Sequence, residues 1–327
     1  MSKAMRLIVA ALAAFILALA VAACGDDEES SSPAPSGGGG GDTSAETIEK
    51  IPGAEGKSFT VGSKNFTEQF VLGEIYAQAL EAAGFKVKKE LNLGSEQIAF
   101  KALKSGQIDG YPEYTGTSLT SFFDVKTDEV PKDPDEAYEL TKTNYEKEGI
   151  TALPRTEFEN TFRIATTKEK QADLLGGATK LSELADVDKM LRITGFPECR
   201  QRTDCLLGLQ DKYGLKLKFV STESKYEPLN NDQTDLGFVF STDGELTLDK
   251  YTIIEDDEEL FPPYNISFGI KNEKLKEIGP EGQAVLERVQ KPLTEEVMQE
   301  LNSRVDLDKQ EPTKVAADYL KESGFVQ

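Results

Sequence analysis

Six short clusters hold the residues able to do chemistry. Gly62-Ser-Lys-Asn-Phe-Thr-Glu-Gln69 aims a cation, Lys64, from a strand end at a helix start. Tyr111-Pro-Glu-Tyr-Thr-Gly-Thr117 sets Tyr114 three residues before Thr117. Glu159-Asn-Thr-Phe162 offers an amide, Asn160, beside a ring. Phe196–Leu209 carries Arg200, Arg202 and the cysteines Cys199 and Cys205. Phe240-Ser-Thr-Asp-Gly244 and Phe261-Pro-Pro-Tyr264 each place an aromatic ring at a turn. Aromatic faces attract cations, and guanidinium or ammonium groups grip carboxylates. Singly, each cluster reads more readily as core, turn or solvated ion pair.

Composition narrows the chemistry further. The 327 residues contain 58 Asp+Glu, 37 Lys+Arg, no His and no Trp, for a net charge of −21. Without His there is no Ser-His-Asp triad and no His-ligated metal. Acid/base work by Asp, Glu, Lys or Tyr stays open, but no organised nucleophile or carboxylate pair appears. Such an acidic chain lacks the cationic face that nucleic acid requires. No phosphate loop, Cys-x-x-Cys or calcium loop is present, so neither cofactor nor metal is expected.

These clusters need a scaffold. From Ser58 onward the pattern alternates strand and helix, which predicts an α/β fold with a mainly parallel sheet. Phe59–Ser63 reads as a strand. The helix after it presents Leu72, Ile75, Tyr76, Ala79, Leu80 and Ala83 on one stripe and stops at Gly84. Strands at 85–91 and 108–110 flank a helix at 96–105. After Thr161 the pattern recurs, with strands at 162–166, 215–220, 236–240, 251–255 and 266–270. Helices are expected at 181–191 and 204–213, and a helical tail at 280–325. This length fits about two lobes, with ligand bound beyond the carboxyl ends of the strands.

The N-terminus reads as an address. Lys3 and Arg6 precede an apolar run, Leu7–Ala23, that ends in Val21-Ala22-Ala23-Cys24. By layout this is a secretory signal, and its ending resembles a bacterial lipobox. That implies a lipid on Cys24 after cleavage at residues 1–23. An uncleaved anchor is the alternative. Loss of Lys3 and Arg6 takes the charge from −21 to −23. Residues 24–57 read as a disordered tether of about 30 residues, roughly 30 Å root-mean-square. In that oxidising compartment Cys199 and Cys205 close a short disulfide loop; two free thiols are the alternative.

Together and in this order, Ser-Lys-Asn-Phe-Thr-Glu-Gln, Tyr-Thr-Gly-Thr, Asn-Thr-Phe, Thr-Asp-Gly and Phe-Pro-Pro-Tyr resemble the substrate-binding proteins of osmoprotectant ABC transporters. The resemblance to this glycine betaine/choline-binding family covers about Ser58–Phe325. It implies the two-lobed type II periplasmic-binding-protein fold. Residues 58–161 plus 263–327 would form lobe 1 and 162–262 lobe 2. It implies an aromatic cage for a quaternary ammonium at Tyr114, Phe162, Phe240 and Tyr264. Lys64, Thr117 and Arg202 would contact the ligand's carboxylate or the closed cleft, with Asn160 beside the cage. It also implies an ABC permease and a cytoplasmic ATPase as partners, and no catalysis. Two departures stand out. The family commonly has Tyr where this chain has Phe162 and Phe240, and an aromatic and a Gly at Cys199 and Cys205. A different cationic or zwitterionic solute, or a ligand sensor without transport, are the rival readings.

Overall fold

The computed structural model describes residues 47–187 and 189–327. The expected signal peptide, Cys24 and most of the expected tether lie outside them. Two five-stranded sheets carry the fold. The first uses β1 (Ser58–Gly62), β2 (Lys86–Glu90), β3 (Gly110–Tyr114), β4 (Ile150–Ala152) and, from far downstream, β10 (Ile266–Lys271). The second uses β5 (Phe162–Thr167), β6 (Leu191–Gly195), β7 (Leu217–Ser221), β8 (Leu236–Phe240) and β9 (Tyr251–Ile254). The spatial orders are β2-β1-β3-β10-β4 and β7-β6-β8-β5-β9. Both α/β lobes thus repeat one plan, without a detectable sequence repeat.

The sheets are mixed, which corrects the expectation of mainly parallel ones. β1 pairs parallel with β2 and β3, but β10 runs antiparallel to both β3 and β4. In the second sheet β6 pairs parallel with β7 and β8, while β5 runs antiparallel to β8 and β9. The cause is topological. The chain crosses between lobes twice, and each crossing delivers a strand from the opposite direction.

The stripe on the first helix, Thr67–Ala82, does what its spacing requires: Leu72, Ile75, Tyr76, Ala79 and Leu80 are fully buried. Gly84 follows with φ 98°, a left-handed stop that favours glycine. Three local expectations fail. Residues 181–191 are not one helix but a 3-10 turn, Ser182–Asp186, followed by strand β6. Leu181, Leu184 and Leu191 mimic helical spacing, yet Leu191 and Ile193 point into a sheet. The third strand of the first lobe begins at Gly110, so Tyr111-Pro-Glu-Tyr114 is strand rather than turn. The expected tether, 24–57, also ends earlier than Lys57. Ile48 is buried and its N–H donates to Phe325 O at 2.8 Å; Ile51 N–H donates to Ala83 O at 2.9 Å. An apolar residue every third position (Ile48, Ile51, Ala54) finds a surface to cover there. Among the described residues, no helix is long and apolar enough to cross a membrane.

Candidate functional site

The clusters converge because both sheets direct the same kind of end toward one cleft. Tyr114 is the last residue of β3 and Phe240 the last of β8. Lys64 lies just past β1 and Phe196 just past β6. Phe162 opens β5, which runs antiparallel to β8, and the two rings sit directly opposite in register. Tyr264 precedes β10, antiparallel to β3, and so reaches the same end. Gly116 permits this approach. A Cβ there would come within 2.7 Å of Pro263 O and 2.9 Å of the Tyr264 ring.

Lys64, Tyr114, Thr117, Asn160, Phe162, Arg202, Phe240 and Tyr264 all line this single cleft. Phe66, Phe196, Ser95, Glu96 and Glu198 join them. The rings form a continuous set. Phe162 lies 5.4 Å from both Phe240 and Tyr264, Phe66 lies 5.3 Å from Phe240, and Phe196 stacks on Phe240 at 5.6 Å. Phe66 also stacks on Tyr114, at 6.2 Å. Protein cations already use some of these faces. Lys64 Nζ sits 4.4 Å from the Tyr114 ring centre and the Arg202 guanidinium 5.3 Å from that of Phe162. Phe66 and Phe196 were not singled out from sequence as ring-cage positions. Phe66 sat inside a quoted motif, so its signal was present. Phe196 follows β6, and with that strand unread its place at a strand end was hidden.

Behind the rings lie three buried carboxylates. Glu113 accepts from Lys64 Nζ, from Tyr111 OH at 2.9 Å and from Tyr114 N–H at 2.8 Å. Burial lowers the Lys64 pKa, and the Glu113 charge only partly restores it. Among the described residues, Glu68 is paired with no cation. It accepts from Tyr114 OH at 2.7 Å and Asn160 Nδ2 at 2.7 Å, and from Thr242 Oγ1. Burial outweighs these donors and raises its pKa. Asp204 accepts from Arg202 Nε at 2.8 Å, Tyr264 OH at 2.6 Å and Thr120 Oγ1 at 3.1 Å. Burial pulls its pKa upward, but the Arg202 charge and these donors hold it below the ordinary value. Arg202 therefore reaches the cleft already paired. The Cys199–Cys205 disulfide brackets it, with Cα atoms 5.3 Å apart.

What this arrangement can do is bind. Among the described residues, no group of three or more His, Cys, Asp or Glu is placed to hold a metal ion. A ring-lined cleft with polar anchors suits a small solute with an apolar, cationic head.

The comparisons with known proteins agree. The family model described as the substrate binding domain of ABC-type glycine betaine transport systems, OpuAC, matches residues 57–322. A glycine-betaine-binding protein of Pseudomonas aeruginosa is 34% identical over 82% of this chain and 89% of its own length. The carnitine transport binding protein OpuCC of Listeria monocytogenes is 27% identical over 85% of this chain and 91% of its own. A solved structure, the crystal structure of a glycine betaine/carnitine/choline ABC transporter, superposes with a TM-score of 0.67 at 26% identity. It covers 82% of this chain and 99% of that one. The chain belongs to the OpuAC family of ABC-transporter substrate-binding proteins and has its two-lobed type II fold. These relatives are solute-binding proteins, not enzymes.

Proposed function

We propose that this member of the family is an exported lipoprotein, anchored through Cys24, that captures a quaternary-ammonium osmolyte such as glycine betaine or choline. It holds the ammonium against Tyr114, Phe162, Phe240 and Tyr264, with Phe66 and Phe196 completing the enclosure. It then delivers the solute to a membrane permease driven by a cytoplasmic ATPase. The observation that carries this reading is the meeting of rings from two sheets in one cleft. A trimethylammonium group has no N–H to donate, so acceptors alone hold it poorly. Ring faces attract it by about 0.5–2 kcal/mol each.

The proposed lobes are 58–161 with 263–327, and 162–262. The chain crosses between the two sheets at 153–161 and again at 255–265. Two crossings make a hinge, so the cage is completed when the lobes close. The test is Tyr114→Ala, titrated calorimetrically with choline and glycine betaine. Binding is expected to weaken by about 10–100-fold, since ring and hydroxyl are both lost. Affinity equal to that of the unaltered chain overturns the cage.

A second reading keeps the binding role and changes the solute to another small cation or zwitterion. It is favoured by Phe162 and Phe240, which bring rings without hydroxyls. Competition among betaine, choline, carnitine, ectoine and polyamines separates the two. A sensor without transport predicts no uptake defect when the chain is deleted.

A further inference from the structure

The polar groups of the cleft are unevenly committed. Both of its cations are already paired, Lys64 with Glu113 and Arg202 with Asp204. The hydroxyls of its two tyrosines are spent as well, Tyr114 on Glu68 and Tyr264 on Asp204. Phe162 and Phe240 have none to give. The acceptors are in surplus. Asn160 is 4% exposed, and its Nδ2 donates to Glu68, which fixes the sense of the amide. Its Oδ1 is buried without a hydrogen-bond partner. Glu96 and Glu198 also line the cleft. Glu96 comes no nearer to a cation than 3.9 Å, from Arg202, and Glu198 makes no ion pair among the described residues. Burial raises the Glu198 pKa, and the charges of Glu96 and Glu223 add to this against the opposing pull of its own backbone N–H and of Arg202.

A ligand carboxylate would meet Glu96 and Glu198 as like charges. It would also find two of the Arg202 nitrogens, Nε and Nη2, already given to Asp204. A hydroxyl or N–H would find open acceptors, two of them charged, where hydrogen bonds are strongest. We infer that the preferred ligand is a quaternary-ammonium cation bearing a hydrogen-bond donor in place of a carboxylate, and that Glu96 and Glu198 select it. This rests on the aromatic-cage reading above and goes beyond it by choosing among the solutes a cage could hold.

The experiment is calorimetric titration of the full chain, kept in detergent, with three probes: choline, glycine betaine and tetramethylammonium. The same titrations follow on Glu96→Gln and Glu198→Gln. Choline is expected to bind at least about tenfold tighter than betaine. Each Gln variant shrinks that ratio and leaves tetramethylammonium within about threefold. Betaine binding as tightly as choline overturns the inference, and so does a ratio unchanged in both variants. In those cases quaternary binding persists and the cage reading stands. Failure of all three probes against a chain with an intact melting transition sinks the cage reading and the inference together. The ratio in the unaltered chain decides the matter even where a variant fails to fold.

Discussion

Two tyrosines of the cleft are anchored in the same way on opposite electrostatic ground. Tyr114 donates to Glu68 and Tyr264 to Asp204, both buried carboxylates. Each carboxylate also accepts a bond from across the cleft. Glu68, beside the first sheet, takes one from Thr242 next to the second; Asp204, beside the second, takes one from Thr120 next to the first. They differ in one respect. Asp204 faces Arg202, whereas Glu68 faces only neutral donors. The result is a lowered pKa at Asp204 and a raised one at Glu68. Neutral donors, even several, do not offset burial of a carboxylate as a guanidinium does. One tyrosine is thus anchored on an ion-paired carboxylate and the other on a carboxylate that, among the described residues, has only neutral donors.

The sharpest way to break this comparison is to remove the carboxylates. Asp204→Ala strands the Arg202 charge in the interior and is expected to cost about 3–5 kcal/mol in urea unfolding. Glu68→Gln removes a charge that had no partner, and about 1–3 kcal/mol is expected. A larger loss at Glu68 would reverse the contrast. Next come the hydroxyls. Tyr114→Phe and Tyr264→Phe each keep the ring and drop a bond to a charged acceptor, for about 1.5–3 kcal/mol. Double-mutant cycles with Glu68→Gln and Asp204→Asn should give couplings of about 0.5–3 kcal/mol. Zero coupling would detach the rings from their carboxylates.

The smallest effect is in the pH profile. The native state holds the Glu68 proton at pH values where the unfolded chain has already lost it. Stability from this group is therefore fully present below about pH 4.5 and declines as pH rises through the raised pKa. Asp204 acts in reverse. Its contribution is present above about pH 3.8 and is lost as pH falls through the lowered pKa. Melting temperatures across pH 2–8 (a range of roughly this width spans both limbs) should show Glu68→Gln flattening the upper limb and Asp204→Asn the lower. Identical profiles for both variants would erase the distinction.

Sequence patterning reached the alternating strand–helix plan and the buried stripe of the first helix; the eight residues that line the cleft came only from the family resemblance. That resemblance rests on the order of the motifs, since each motif alone is ambiguous. The failures share a cause. Strands of five residues such as β6 carry too few positions to establish a period, and three spaced leucines nearby imitated a helix. Pro112 disguised β3 as a turn, because every residue of that strand is buried and no alternation survives. The pairing state of the cations was invisible as well. Arg202 and Asp204 are two residues apart, but nothing in that spacing says the guanidinium turns back onto its neighbour instead of toward a ligand.

The bond from Ile48 N–H to Phe325 O has a mechanical reading. With Thr47 Oγ1 donating to Gly324 O at 3.4 Å, it brings the two ends of the folded chain together beside the first lobe. In topology the fold is almost a closed ring, cut at one point. A pull along the chain ahead of Thr47 would arrive at that seam and not across the cleft. A short loop from Gln327 back to Thr47, with new ends opened in an exposed turn, would leave both sheets and their cleft in place.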